Sequence, residues 1–596
     1  MSQMSVMQSM SSRLDFIRKL GLCPSILNLY VERYSFKFLL NDIFSGIKIF
    51  LCLSPLAFAL AFCCGGSPVQ GLISCAIASL VSIVLGGSKY QIASIALPIC
   101  ILTFEIALKY QYKGLFYTAL FVSLILFLFG ILKISSVLKH ISYAFISALS
   151  VYVIMSIIVN QLQYMLGINA IQSSRSLLEN FAFFKANLEN VTKNGLMTFG
   201  IFVVPIVLLK SFFRGFFPFF IYLALGCAVA YLFNAGILPE VFEIKTIGQE
   251  IVTTQSALDN IFTMSGGIPS QIFLANSINY AFVIALIIAC EACFCTNVSS
   301  SITGDNRLQT NVELISSGVS NLVSVACGGL FVSPNIDFSV KNIKSKAKTI
   351  VPIIVIATLC IGLMYYNDLV MRFLPIHCLS AILLVYGFSQ IFSKKIIQYL
   401  NPKSQETYIF WITLLLALYF GFMPATVVGF AISCVFFAER MVKIKDANVH
   451  TTRNHDSDAI EFMTNKNGFA NSMNIPQKLL DQIEVIQVSN ILFLNIAKIV
   501  EEALSAQGKF PNILIIYFNN IPYFDETAFE SLKELVKGAK AKKATVMISG
   551  TNGRLLDILQ QKALTEKYTD AFGYIVPDFK AAIQQTVSRL SKTTFT

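Results

Sequence analysis

The chain repeats apolar runs long enough to cross a bilayer, and that feature constrains its fold more than any other. "FVIALIIACEACFCTNV" (residues 282–298) and "YIFWITLLLALYFGFM" (residues 408–423) are two of them. A hydrocarbon layer takes about 20 helical residues to cross. Lipid offers no hydrogen bonds to the backbone, so each run must be helical or buried in protein. Roughly fourteen segments can be read, centred near residues 52, 78, 100, 124, 148, 203, 224, 287, 318, 338, 358, 380, 413 and 431. Only 13% of the 596 residues are charged, and mean hydropathy is +0.68, too little polar surface for a soluble protein of this size. The expected class is an α-helical polytopic membrane protein.

Net charge is +12, from 45 Lys and Arg against 33 Asp and Glu. The placement of these residues argues for membrane topology and against nucleic-acid binding. The Met/Ser-rich start has no apolar core of its own, so it reads as a cytoplasmic segment rather than a signal peptide. With that end inside, the expected cytoplasmic loops hold Lys133, Lys139, Lys210, Arg214, Lys341, Lys344, Lys346, Lys348, Lys394, Lys395, Lys403 and Arg440. Fewer basic residues fall on the expected outer connections, the asymmetry that sets orientation. Both termini are then cytoplasmic. Of the 14 cysteines, nearly all sit within apolar runs, where they behave as small hydrophobes. "CEACFC" (Cys290, Cys293, Cys295) has no His nearby and reads as helix packing; no metal and no cofactor are expected.

The expected organisation is a cytoplasmic segment at 1–37, a transmembrane domain at 38–440, a polar linker at 441–480 and a soluble domain at 481–596. The last part alternates strand-like runs such as "NILIIYFNN" and "ATVMISG" with amphipathic stretches. "DETAFESLKELVKGAK" places Phe529, Leu532, Leu535 and Val536 on one helical face. Such alternation implies a small, mostly parallel sheet with helices.

One membrane-depth stretch breaks the apolar pattern: "CGGLFVSPNIDFSVKNIK", residues 327–344. Irregular backbone there must line a cavity or be buried in protein. Ser333 as N-cap and Pro334 at the first helical position predict a half-helix, whose free N–H groups and dipole form an anion-binding end. A second break, "LGGSKYQIASIALPICILTF" (residues 85–104), also sets a Gly pair and polar residues before a Pro. The two stand third and tenth of fourteen, equivalent places in a 7+7 inverted repeat with two half-helices meeting at one site.

These residues resemble the sulfate permease (SulP) family over nearly the whole chain. "CGGLFVSPNIDFSVKNIKSKAKT", "LSPLAFALAFCCGGSPVQGL", "GGSKYQIASIALP" and "IACEACFCTNVSSSITGDNRLQTNVELISSGVSN" follow its membrane motifs. "NILIIYFNNIPYFDETAFESLKELVKGAKAKKATVMISGTNG" is similar to a STAS domain. The resemblance implies a fourteen-span core with a gate and a substrate-holding bundle, and homodimers. It implies substrate contacts at Ser54, Phe58, Leu97, Ile99, Asn335, Ile336, Asp337 and Phe338, and ion coupling at Glu291. Thr527 matches the position phosphorylated in soluble STAS relatives; its plainer reading is helix capping beside Asp525 and Glu526.

The departures are as informative. Many relatives carry Arg where this chain has Phe338, and a small or hydroxylated residue where it has Asp337. Asp337 either pairs with Lys341, one turn along, or faces the site. The expected function is secondary transport of small inorganic or organic anions such as bicarbonate or sulfate, with a proton or Na+ as coupling partner. The alternatives are an uncharged or zwitterionic solute on the same fold, or a sensor or scaffold presenting its STAS domain to a cytoplasmic partner. No nucleophile–base or metal constellation points to an enzyme. A compact STAS segment favours a bacterial inner membrane, while a sequon at Asn190 leaves a eukaryotic plasma membrane open.

Overall fold

In a computed structural model, the described residues are 36–168, 176–191, 193–212, 217–234, 271–303, 308–400, 405–451, 483–489, 513–519, 536, 545–549, 574–576 and 582–584. The long helices are α1 (Phe36–Cys63), α2 (Pro68–Leu85), α3 (Cys100–Ile131), α4 (Tyr143–Met165), α5 (Leu177–Ala186), α6 (Lys193–Phe212) and α7 (Phe217–Asn234). They continue as α8 (Gln271–Thr303), α9 (Thr310–Ala326), α10 (Ile336–Lys344), α11 (Val351–Tyr365), α12 (Ile376–Ile391), α13 (Gln405–Phe420) and α14 (Phe422–Thr451). Gln111, at φ 55° and ψ −155°, interrupts α3 and divides it into two helical pieces. With those pieces counted separately, every expected segment centre falls within a helix or, at residue 100, at a helix start. Among the described residues, seven helices are long and apolar enough to cross a membrane unaided; α7, α11, α12 and α13 are shorter apolar helices. Leu124, Phe127, Val204, Leu208, Tyr419 and Phe420 are exposed on helix surfaces, as lipid contact requires.

The membrane helices pack in two groups. In the first, α3 packs on α8 and α9, α2 on α9 and α11, and α1 on α2 and α11. In the second, α4 packs on α12 and α13, and α6 on α7 and α12. Each group therefore joins an early stretch of the chain to a late one, as two interlocked repeats would. Two three-residue strands, β1 (Ala93–Ile95) and β2 (Val332–Pro334), pair antiparallel with Ser94 opposite Ser333. Each precedes a helix start at the third place of its seven-segment set.

Cys290, Cys293 and Cys295 are fully buried along α8. Lys341, expected in a loop, is instead part of α10, and its Nζ lies 5.2 Å from the Phe338 ring centroid. The last core helix runs on to Thr451, into the stretch read as linker, because "VKIKDANVHT" contains neither Gly nor Pro to end it.

The chain divides into two compact units, Met1–Val435 and Phe436–Thr596. In the second, β3 (Ile483–Ser489), β4 (Ile513–Asn519), β5 (Thr545–Ser549) and β6 (Tyr574–Val576) form a sheet in that order, all parallel. Ile513 to Tyr517 are buried, the continuous apolar run expected of a central parallel strand. Thr527, Asp525 and Glu526 lie outside the described residues.

Candidate functional site

The break at residues 327–335 is built from small polar residues that satisfy the backbone where helix hydrogen bonds stop. Gly328, at φ +86°, ends α9 in a conformation other residues adopt at a cost. One edge of β2 pairs with β1. The other is closed by Asn321, whose Nδ2 donates to the Val332 carbonyl and whose Oδ1 accepts from its N–H, both at 2.9 Å. Ser324 Oγ donates to the Leu330 carbonyl at 2.8 Å, and the Leu330 N–H donates to Ser74 Oγ at 2.7 Å. Each such bond contributes about 1 kcal/mol, and leaving the buried group unmatched costs more. At the first break, Gly87 packs so closely that a Cβ would lie 2.1 Å from the Gln309 carbonyl oxygen. Its N–H donates to the buried Glu313 carboxylate at 2.8 Å.

The N-cap differs from the sequence expectation. Asn335, not Ser333, caps α10: its Oδ1 accepts from the Phe338 N–H at 3.1 Å. Ser333 and Pro334 are strand residues. The cause is tertiary. Pairing with Ala93–Ile95 holds residues 332–334 extended, and the Asn335 N–H continues the contact by donating to the Ile92 carbonyl at 2.8 Å. Asn serves as well as Ser in the capping role. Asn335, Ser339 and Asn342 recur on one face of α10 and join it to the first break. Ser339 Oγ accepts from the Ile92 N–H at 3.0 Å, and Asn342 Nδ2 donates to the Tyr90 carbonyl at 3.1 Å. The Ser333 hydroxyl is donated to the Glu291 carboxylate of α8.

A cavity of about 100 Å³ opens at this junction. From the first helix group it is walled by Ala96, Leu97, Pro98, Glu291 and residues 333–337. From the second it is walled by Tyr143, Ser147, Ser150 and Ile154 of α4 and by Tyr386 and Gln390 of α12. Gln390 Nε2 donates to Asp337 Oδ2 at 3.4 Å across the space. The cavity thus lies between the two groups and joins both helix starts to two carboxylates.

Of the residues singled out from sequence, Leu97, Glu291, Asn335, Ile336 and Asp337 line the cavity. Ser54, Phe58, Ile99 and Phe338 do not, and all four are buried in the protein. Leu97–Ile99 is a 3-10 turn, and within it Leu97 is part-exposed at the cavity while Ile99 is fully buried. Phe338 sits three residues after the cap with its ring under Lys341. Ser54 and Phe58 are inward positions of α1. Sequence reading missed the opposite wall. Tyr143, Ser147 and Ser150 recur at spacings of four and three in an apolar helix, and Tyr386 and Gln390 are four apart; such a polar stripe was the available signal.

Two interlocked helix groups, a pair of broken helices meeting at a cavity, and a small parallel sheet after the membrane part define a polytopic helical transporter fold with a C-terminal STAS domain. The chain matches the sulfate permease family over residues 39–413 and the STAS domain over residues 477–572. It belongs to the sulfate permease family and is an integral membrane protein. It is 22% identical over 534 residues to YvdB of Bacillus subtilis (strain 168), a protein named for sulfate transport, covering 88% of this chain and 94% of that one. It is 22% identical over 562 residues to the bicarbonate transporter BicA of Picosynechococcus sp., covering 90% and 93%. Among solved structures, that of SLC26A9 superposes with a TM-score of 0.59 at 16% identity, covering 98% of this chain and 95% of that one.

Proposed function

We propose that this protein is a secondary active transporter of small anions, coupled to a proton or to a cation such as Na+, with a monovalent anion of the bicarbonate class favoured over free sulfate. One observation carries the reading: the cavity places the start of α10 and the turn at Leu97 beside Glu291 and Asp337, with no Lys, Arg or His on its described wall. A helix start supplies about half a positive charge and aligned N–H donors, enough to hold a small anion through the backbone. A deprotonated carboxylate at Asp337 outweighs that half charge, so a divalent anion is disfavoured unless a proton or cation neutralises it. Glu291, inside the helix bundle, is the group to take up that charge, since an intramembrane carboxylate is costly without a partner. Movement of one helix group against the other exposes the cavity to each side in turn. The names of the relatives, one for sulfate and one for bicarbonate, support an oxyanion substrate. The same reading carries a homodimer in a bacterial inner membrane with both termini cytoplasmic, and a STAS domain open to a cytoplasmic partner.

A second reading is favoured by the same carboxylate: a zwitterionic solute could set its ammonium on Asp337 and its acid group on the α10 amides. Flux into proteoliposomes separates the two. Labelled bicarbonate, chloride, sulfate, a dicarboxylate and a neutral amino acid are each offered at two pH values, with and without Na+. Saturable monovalent-anion uptake that rises with an inward proton or Na+ gradient is expected. Saturable sulfate uptake indifferent to both gradients overturns the substrate argument, and uptake of the amino acid alone selects the second reading.

A further inference from the structure

The hydrogen bond between Gln390 and Asp337 is made between the two helix groups, because Asp337 stands on α10 and Gln390 on α12. Both residues line the cavity. Tyr386, one turn earlier on the same helix, lines the same wall. Asp337 is the second residue of α10, inside its first turn. A carboxylate there is attracted to its own helix start, where N–H groups lack intrahelical acceptors and the dipole is positive. Turned toward those groups it competes for the donors an anion needs. A neutral amide donor on the opposite wall draws the carboxylate the other way, and hydrogen bonds to charged groups are the stronger kind.

We propose that Gln390 is a positioning residue that determines anion affinity: it holds the Asp337 carboxylate toward the second helix group and leaves the α10 amides to the substrate. The inference deepens the anion-site reading and rests on it. It adds a consequence for the transport cycle. When the two groups move apart, Gln390 cannot keep its hold, the carboxylate returns to the α10 amides, and the anion loses its donors. The same contact thus couples release of the anion to the movement.

The test is a double-mutant cycle. Initial rates of labelled bicarbonate and chloride uptake are measured in proteoliposomes for the unmodified protein, Gln390→Leu, Asp337→Ser and the double variant. Gln390→Leu is expected to raise KM about tenfold, the scale of one hydrogen bond to a charged group, with the maximal rate little changed. In the Asp337→Ser background the same change is expected to leave KM within about twofold, since no carboxylate remains to be positioned. An equal rise in both backgrounds overturns the proposal, because Gln390 then acts on the fold or on the substrate directly. Thermal unfolding of the four purified proteins supplies a readout without substrate. Non-additive shifts in Tm support the contact, and additive shifts overturn it. If the unmodified protein carries no anion, the anion reading fails, and the unfolding cycle still tests the contact.

Discussion

The two helix breaks share a backbone plan and differ in chemistry. At the first, Ala96 precedes a Leu97–Pro98–Ile99 turn with no side-chain cap, and a long apolar helix follows. At the second, Asn335 caps a nine-residue helix with Asp337 in its first turn and Lys341 and Lys344 in its last. Their strands pair with each other, so each supplies the hydrogen bonds the other's backbone lacks. The two breaks thus share a way to end and restart a helix inside lipid, while the polar side chains that reach the cavity stand at the second. The first break presents backbone and apolar surface to the cavity. The second, with Glu291 beside it, presents the groups that can discriminate charge.

The largest expected effect tests whether charge handling resides beside the second break. Glu291→Gln should abolish accumulation driven by a proton or cation gradient, a loss of at least about tenfold, with expression and thermal stability near normal. Gradient-driven uptake equal to that of the unmodified protein refutes the coupling role. Asp337→Ser should come next, lowering anion KM several-fold or weakening its cation dependence; a fall in thermal stability with KM untouched makes Asp337 a structural residue instead. Asn335→Ala removes the cap and should cost about 1 kcal/mol, read as a lower Tm, with Asn335→Asp retaining the cap but weakening anion uptake by its added charge. Ile99→Val at the first break should cost a similar amount of stability, about 1 kcal/mol, and have the smallest effect on transport, with KM unchanged. A KM shift there as large as that of Asp337→Ser would erase the distinction between the two breaks.

Much of this was legible in the residues themselves. Runs of apolar residues located the membrane helices but not α5, a ten-residue helix in a stretch too polar to read as a span, and the coincidence of Gly, Ser, Pro and Asn at residues 327–335 marked the break. The cap was misread because Ser333 and Asn335 are equally good caps by local chemistry. Only the pairing of residues 332–334 with 93–95 decided between them. The far wall was not read because Tyr143, Ser147, Tyr386 and Gln390 look like ordinary polar interruptions until α4 and α12 are brought opposite α10.

Amino-acid order alone determined that this chain enters a membrane, where its membrane helices lie, and that two of them must break, because lipid rejects unsatisfied backbone wherever it occurs. Those are local demands, written in runs of neighbouring residues. Tertiary structure decided which residues face the cavity and which partner each finds. Ile99 and Phe338 are turned into the protein, and Leu97 and Asp337 toward the opening, by contacts between segments more than two hundred residues apart. The direction of a side chain depends on what is packed against it, and no window of sequence contains that information.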